Sequence, residues 1–126
     1  MEQKKVVVFN GDDASPEVMI PTVEILERMG LPISFEYPLI GQDAIDSVGE
    51  NFPDSTRVAI DSADATFFGS TSGQSTAALF YLRWGKQTYA NVRPCEWMPG
   101  FGSPLAKPEG VDFVVSGKIW KTFIWV

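Results

Sequence analysis

A chain of 126 residues, 44% hydrophobic and 21% charged, has the balance of one globular domain with a real core, not of a disordered segment. Its formal charge is −6 and no Lys/Arg run interrupts the acidic surplus, which excludes a nucleic-acid-binding surface and the basic footprint it needs. It has no His, and Cys95 is its single cysteine. An internal disulfide, a His-containing zinc site and Ser-His-Asp chemistry are therefore excluded, and a reducing cytoplasm is the expected location.

The apolar run Val6-Val-Val-Phe9 is too short for a signal segment or a membrane span, so no membrane association is expected. Its β-branched and aromatic residues predict a strand buried on both faces. Asn10 to Ala14 follows as a turn rich in Gly and Asp. Ser15-Pro16-Glu17 predicts a helix start: Ser as cap, Pro at the first helical position, Glu at the positive end of the dipole. Val18, Ile20, Val23, Ile25, Leu26 and Met29 supply its apolar faces, Pro21 is expected to bend it, and Gly30 to end it.

Ile33 to Tyr37 alternates and predicts a second strand. Asp43 to Val48, ending at Gly49, and Pro53 to about Ser62 predict two short helices. Ala65 to Phe68 predicts a buried strand, Ser70 to Ser75 a polar loop, and Thr76 to Trp84 a helix. Tyr89 to Arg93 and Val111 to Val115 predict two more strands, with Pro94 to Gly110 a Pro/Gly-rich connection. Alternation of this kind predicts an α/β fold with a mostly parallel sheet and flanking helices.

Three features carry chemistry. The turn from Gly11 leads into a helix whose free N–H groups suit an anion, although on chemistry alone a capped turn without a ligand is the stronger account. Arg83 and Arg93 could grip a dicarboxylic acid through bidentate forks; taken singly, each reads as a surface ion-pair residue. The loop Gly69 to Thr76 offers N–H and hydroxyl groups but lacks both GxGxxG and the phosphate-binding loop lysine. Cys95 and the four tryptophans read as packing residues.

These residues resemble the isocitrate/isopropylmalate dehydrogenases, the β-decarboxylating hydroxyacid dehydrogenases. Members open with a strand and a Gly-Asp-Gly-Ile-Gly-Pro-Glu-Val helix start, which reads here Gly11-Asp12-Asp13-Ala14-Ser15-Pro16-Glu17-Val18. Gly41 to Ile45, Pro53 to Thr56, Ala63-Asp64-Ala65 with Gly69, Leu82-Arg83, Tyr89 to Pro94, Ser103-Pro104-Leu105 and Val111 to Val115 follow in family order and spacing.

The resemblance implies an isopropylmalate-dehydrogenase-like α/β/α fold in which Arg83 and Arg93 clamp the carboxylates of a small-molecule 2-hydroxy diacid. It puts Thr71 and Ser72 toward the nicotinamide of NAD or NADP, with the turn at Asp12 also near the cofactor. The family reaction is oxidation of a hydroxyl followed by loss of CO2, assisted by Mg2+ or Mn2+. Members are homodimers whose active sites draw on both subunits. Two departures bear on the turn and on specificity: Asp13 and Ser15 replace glycines, and Ala77 and Leu79 replace a Ser and an Asn of the isocitrate enzymes. The latter lean toward isopropylmalate, malate or tartrate.

Residues 1–115 are thus expected to be the N-terminal part of such an enzyme, and residues 116–126 a tail outside the family pattern. The family continues with Val-Arg-Glu-Asn and then an aromatic pair. The tail Ser116-Gly-Lys-Ile-Trp-Lys-Thr-Phe-Ile-Trp-Val126 can be encoded so that reading from its third base gives Arg-Glu-Asn-Met-Glu-Asp-Phe-Tyr-Met-Gly. Its Trp codons, which have no synonyms, constrain that choice. A single-base loss after the codon for Val115 is the expected origin; a short domain with its own C-terminal strand is the alternative.

On this reading the chain carries no catalytic residue and no metal ligand of the family, and is expected to be inactive by itself. The remaining alternative is a non-catalytic binding or regulatory domain that self-associates or pairs with a full-length paralogue. Ile119, Trp120, Phe123, Ile124, Trp125 and Val126 are β-prone and apolar, and favour self-association.

Overall fold

The computed structural model describes residues 2–118, and the chain divides into two compact units between Phe80 and Tyr81. Ile119 to Val126, with the apolar tail residues named above, lie outside the described residues.

The first unit is built on a three-stranded parallel sheet. Strand β1 (Lys4–Phe9) is central, flanked by β2 (Ile33–Glu36) and β3 (Ala65–Phe68), giving the order β2-β1-β3. Lys4 pairs with Ile33 and Val6 with Ala65, each in parallel register. A central strand covered on both faces must be apolar throughout, which is why the run at Val6 predicts it correctly. Val7, Val8 and Phe9 are 0%, 2% and 1% exposed.

Successive side chains point to opposite faces, so one strand supports two layers. Val8 packs with Met19 and Val23 of helix α1 (Ser15–Arg28), joined by Val6, Phe35 and Phe67. Val7 and Phe9 serve the other face, where α3 (Asp54–Ser62) contacts β1 after α2 (Gly41–Val48). Phe9 also meets Phe68 in a tilted arrangement, ring centroids 5.3 Å apart at 59°. Burial of each such side chain contributes about 1.5–3 kcal/mol. Thr56, 1% exposed, satisfies its hydroxyl by donating to the Leu39 carbonyl at 2.7 Å.

The start of α1 differs from expectation. Ala14 is the N-cap and no side chain caps the helix; the Ser15 hydroxyl is engaged elsewhere. Pro21 stands inside α1 without ending it, on its exposed side. The buried stripe is Met19 and Val23, while Val18 and Ile25 are 67% and 61% exposed.

α4 (Thr76–Phe80) completes the first unit. The second begins with a π-helical turn, Tyr81–Gly85, so the helix expected over Thr76 to Trp84 changes its winding at Tyr81. Strands β4 (Ala90–Glu96) and β5 (Asp112–Lys118) then form their own antiparallel pair, Arg93 opposite Val115. Their connection contains no crossover helix, so the chain folds back and pairs antiparallel. Pro94 lies within β4, where its missing N–H is tolerated in a two-stranded ribbon. All seven residues of β5 are exposed. Among the described residues no helix is long and apolar enough to cross a membrane.

Candidate functional site

Parallel strands side by side bring their carboxyl ends, and the turns that follow them, to one edge of the sheet. In open α/β sheets that edge is where ligands bind. Here the turn after β1, Asn10 to Ala14, meets the loop after β3, Gly69 to Ser75. The Gly69 N–H donates to the Phe9 carbonyl at 2.9 Å and the Asp12 N–H to the Ser70 carbonyl at 2.8 Å. The Ser15 hydroxyl accepts the Ser70 N–H at 2.9 Å. This explains why it does not cap its own helix.

Such an approach leaves no room for side chains. A Cβ at Gly69 would collide with Ser15 Oγ and the Asn10 carbonyl oxygen. One at Gly11, whose φ is +82°, would collide with the Ser70 carbonyl oxygen.

Asp12 is the hub of the junction. Its Oδ2 accepts the Ser72 and Gly73 N–H groups, each at 3.0 Å, and the Ser75 hydroxyl at 2.5 Å. Desolvation raises the pKa of this carboxyl. The bonds from Ser75, Ser72 and Gly73 together outweigh it and hold the pKa below the ordinary value of 3.8. The neighbouring Asp13 accepts the Ser72 hydroxyl through Oδ2, with its backbone at a φ of 54°. Thr71 shares a 2.9 Å hydroxyl–hydroxyl contact with Thr76, whose hydroxyl also reaches the Gly73 carbonyl at 2.7 Å.

Of the residues singled out from the sequence, Asp12 and Ser72 are bonded to each other, and Thr71 lies in the same loop as Ser72, paired with Thr76. Ser75, 2% exposed, was missed: nothing in its local sequence announces a partner 63 positions away. Beside the junction a cavity of about 470 Å³ is bordered by Asn10, Asp12, Pro16, Tyr37, Gln42 and Asp43. Tyr37 also borders a second hollow with Glu27, and burial and then that carboxylate's charge raise the phenol's pKa.

Arg83 and Arg93 both belong to the second unit. Arg83 is half-buried in the π-helical turn, and its carbonyl accepts the Thr88 N–H and hydroxyl, both at 3.2 Å. Arg93 is exposed on β4, two residues from Asn91 and so on the same face of the ribbon. With the Asn91 amide oriented so that its oxygen meets the guanidinium, it accepts from Nη2 at 2.8 Å and Nε at 3.1 Å. Among the described residues neither arginine joins an ion pair.

Residues 5–119 match the sequence profile of the isocitrate/isopropylmalate dehydrogenase family. The 3-isopropylmalate dehydrogenase of Archaeoglobus fulgidus is 36% identical over 112 residues, covering 89% of this chain and 33% of the relative. That of Deinococcus radiodurans is 34% identical over 128 residues, covering 88% and 36%. In fold the chain is similar to isocitrate dehydrogenase from Methylococcus capsulatus, with a TM-score of 0.78 and 23% identity. The likeness covers 94% of this chain and 35% of that one. The TT0538 protein from Thermus thermophilus gives 0.72 and 26%, over 94% and 25%. The chain thus spans about a third of the length of the curated relatives it matches.

Proposed function

The chain belongs to the isocitrate/isopropylmalate dehydrogenase family, and from that premise we propose that residues 1–115 are the N-terminal part of an NAD(P)-dependent oxidative decarboxylase of 2-hydroxy diacids. Residues 116–126 are then the out-of-frame remnant of its continuation. The observation that carries the reading is the family match across the span holding Asp12, Thr71, Ser72, Arg83 and Arg93. Arg83 and Arg93 supply two positions of a carboxylate clamp, their guanidiniums unclaimed by carboxylates among the described residues. The 470 Å³ cavity beside Asp12 adds polar space at the ligand-binding edge of the sheet.

A dinucleotide fits this edge only in part. Four donors of the 70–75 loop, the Ser72 and Gly73 N–H groups and the Ser72 and Ser75 hydroxyls, already serve Asp12 and Asp13. Two carboxylates tolerate an oxidised nicotinamide ring, which is cationic, and repel a pyrophosphate. The described residues do not fit a metal: no three His, Cys, Asp or Glu side chains gather where they could hold one. The family's Mg2+ or Mn2+ is therefore not held by the described residues.

Alone, this chain is therefore expected to be inactive. Mixed with NAD+ or NADP+, Mg2+ and a panel of isopropylmalate, isocitrate, malate and tartrate, it should produce no reduced nicotinamide. Turnover of any of them overturns the inactivity. Calorimetry with isopropylmalate tests the residual clamp, and loss of its heat in Arg83→Ala and Arg93→Ala would assign it. Sequencing the gene past the codon for Val126 tests the boundary at Val115: a frame shifted by one base should encode the rest of the enzyme.

A second reading is a non-catalytic domain that self-associates or pairs with a full-length paralogue in the cytoplasm. The exposed β4–β5 ribbon favours it, since a two-stranded sheet is marginal in water unless something packs on it. Co-purification with such a dehydrogenase is its test.

A further inference from the structure

Asp12 offers a single oxygen to three donors in the 70–75 loop, two backbone N–H groups and one buried hydroxyl. Only the hydroxyl is a side-chain group, so the carboxylate fixes the path of the backbone itself at Ser72 and Gly73. Gly73 has open space around it, nothing lying closer to a Cβ built there than Asp12 Oδ2 at 4.0 Å. Side-chain packing is therefore not what constrains the loop at Gly73. The other bonds between turn and loop hold its near end: Asp12 N–H to the Ser70 carbonyl, and Ser70 N–H to Ser15. Beyond Ser70 the tethers across the junction are Asp12 and, through the Ser72 hydroxyl, Asp13.

We infer that Asp12 is a positioning residue: it sets the shape of the loop that presents Thr71 and Ser72. The inference rests on the proposed reading only for what the loop faces, namely the nicotinamide; the positioning itself concerns the chain alone. It makes the backbone at Ser72 and Gly73 depend on the charge of Asp12, Asp13 holding only the Ser72 hydroxyl. When Asp12 is ionised, its Oδ2 carries three charge-assisted bonds. When it is protonated, they weaken together. A loop held by packing or by its own turns would have no such dependence.

The test is amide hydrogen exchange and chemical shift in the 15N-labelled whole chain. In the wild type, the Ser72 and Gly73 amides should be protected at neutral pH, and their shifts should titrate together with a midpoint below 3.8. In Asp12→Asn both should lose about tenfold or more in protection while Val8, Met19 and Val23 keep theirs. Should Asp12→Asn unfold, Ser75→Ala serves instead. Removing that donor should move the shared midpoint upward and leave the Ser72 and Gly73 titrations coupled. Retained protection in Asp12→Asn overturns the inference, as does a midpoint unmoved in Ser75→Ala. NAD+ added to the wild type tests the other reading separately: shifts at Thr71 and Ser72 support the nicotinamide placement. Their absence counts against that placement and leaves the positioning result standing.

Discussion

The Ser75 hydroxyl donates to Asp12 Oδ2 at 2.5 Å, joining the end of one strand's loop to the start of another's across 63 positions of sequence. Ser75 is 2% exposed, so removing its acceptor strands a buried hydroxyl, while the exposed Ser72 and Gly73 N–H groups turn to water. Asp12→Ala is therefore expected to lower stability by about 1–3 kcal/mol in urea denaturation.

The same carboxyl shapes the response to acid. Its folded pKa lies below the ordinary 3.8, so its contribution is fully present above that value and is lost as pH falls through the folded pKa. Asp64 acts in the same direction, its pKa lowered first by the Lys5 N–H and then by the Lys4 ammonium. Asp12→Ala should therefore shrink, without abolishing, the loss of stability below pH 3.8. An acid limb identical to that of the wild type would mean that Asp12 plays no part in it.

The junction also fixes which residues fit at Gly69. A Cβ there meets both the Ser15 hydroxyl and the Asn10 backbone carbonyl. Ser15→Gly relieves only the first. Gly69→Ala is thus expected to destabilise the first unit strongly, and the double variant Gly69→Ala, Ser15→Gly should recover little of the loss. Full recovery of the thermal midpoint would show that the backbone yields.

Adjacent positions of α1 make a sharp contrast. Met19 is 6% exposed and packs on Val8, whereas Val18 is 67% exposed. Met19→Ala should cost about 2–5 kcal/mol, and Val18→Ala should stay within about 0.5 kcal/mol of the wild type. Urea denaturation of the two variants measures both.

Val18 also shows how far the sequence could be read. The run at Val6 declared a central strand because burial on both faces leaves a purely local trace. Helix α1 is legible as a helix, yet apolar residues on several of its sides hide that the buried stripe runs through Met19 and Val23. The Ser15 hydroxyl was assigned to its own helix because local rules see only local partners; its partner, Ser70, is 55 positions away. The resemblance sets the Asp12 turn and the Thr71–Ser72 loop near one another, but no local pattern shows the donors that bind Asp12. Antiparallel pairing of β4 with β5 depends on the path of a connection without helix or strand, which leaves no periodicity to read.

That ribbon carries the last prediction. In the antiparallel register Val92 faces Ser116 and Pro94 faces Val114, so Val92 and Val114 lie on one side of the pair. They are 62% and 60% exposed, on a sheet of two strands among the described residues. Water in contact with that surface favours association, and a charged residue in its centre opposes it. The wild-type chain is therefore expected to gain apparent mass with concentration in light scattering, and Val114→Lys to stay smaller at the same concentration. Because Val114 lies outside the first unit, the substitution should leave the protection of Val8 and Met19 unchanged. Equal association of the two chains would place the contact elsewhere and remove the ribbon as support for the non-catalytic reading.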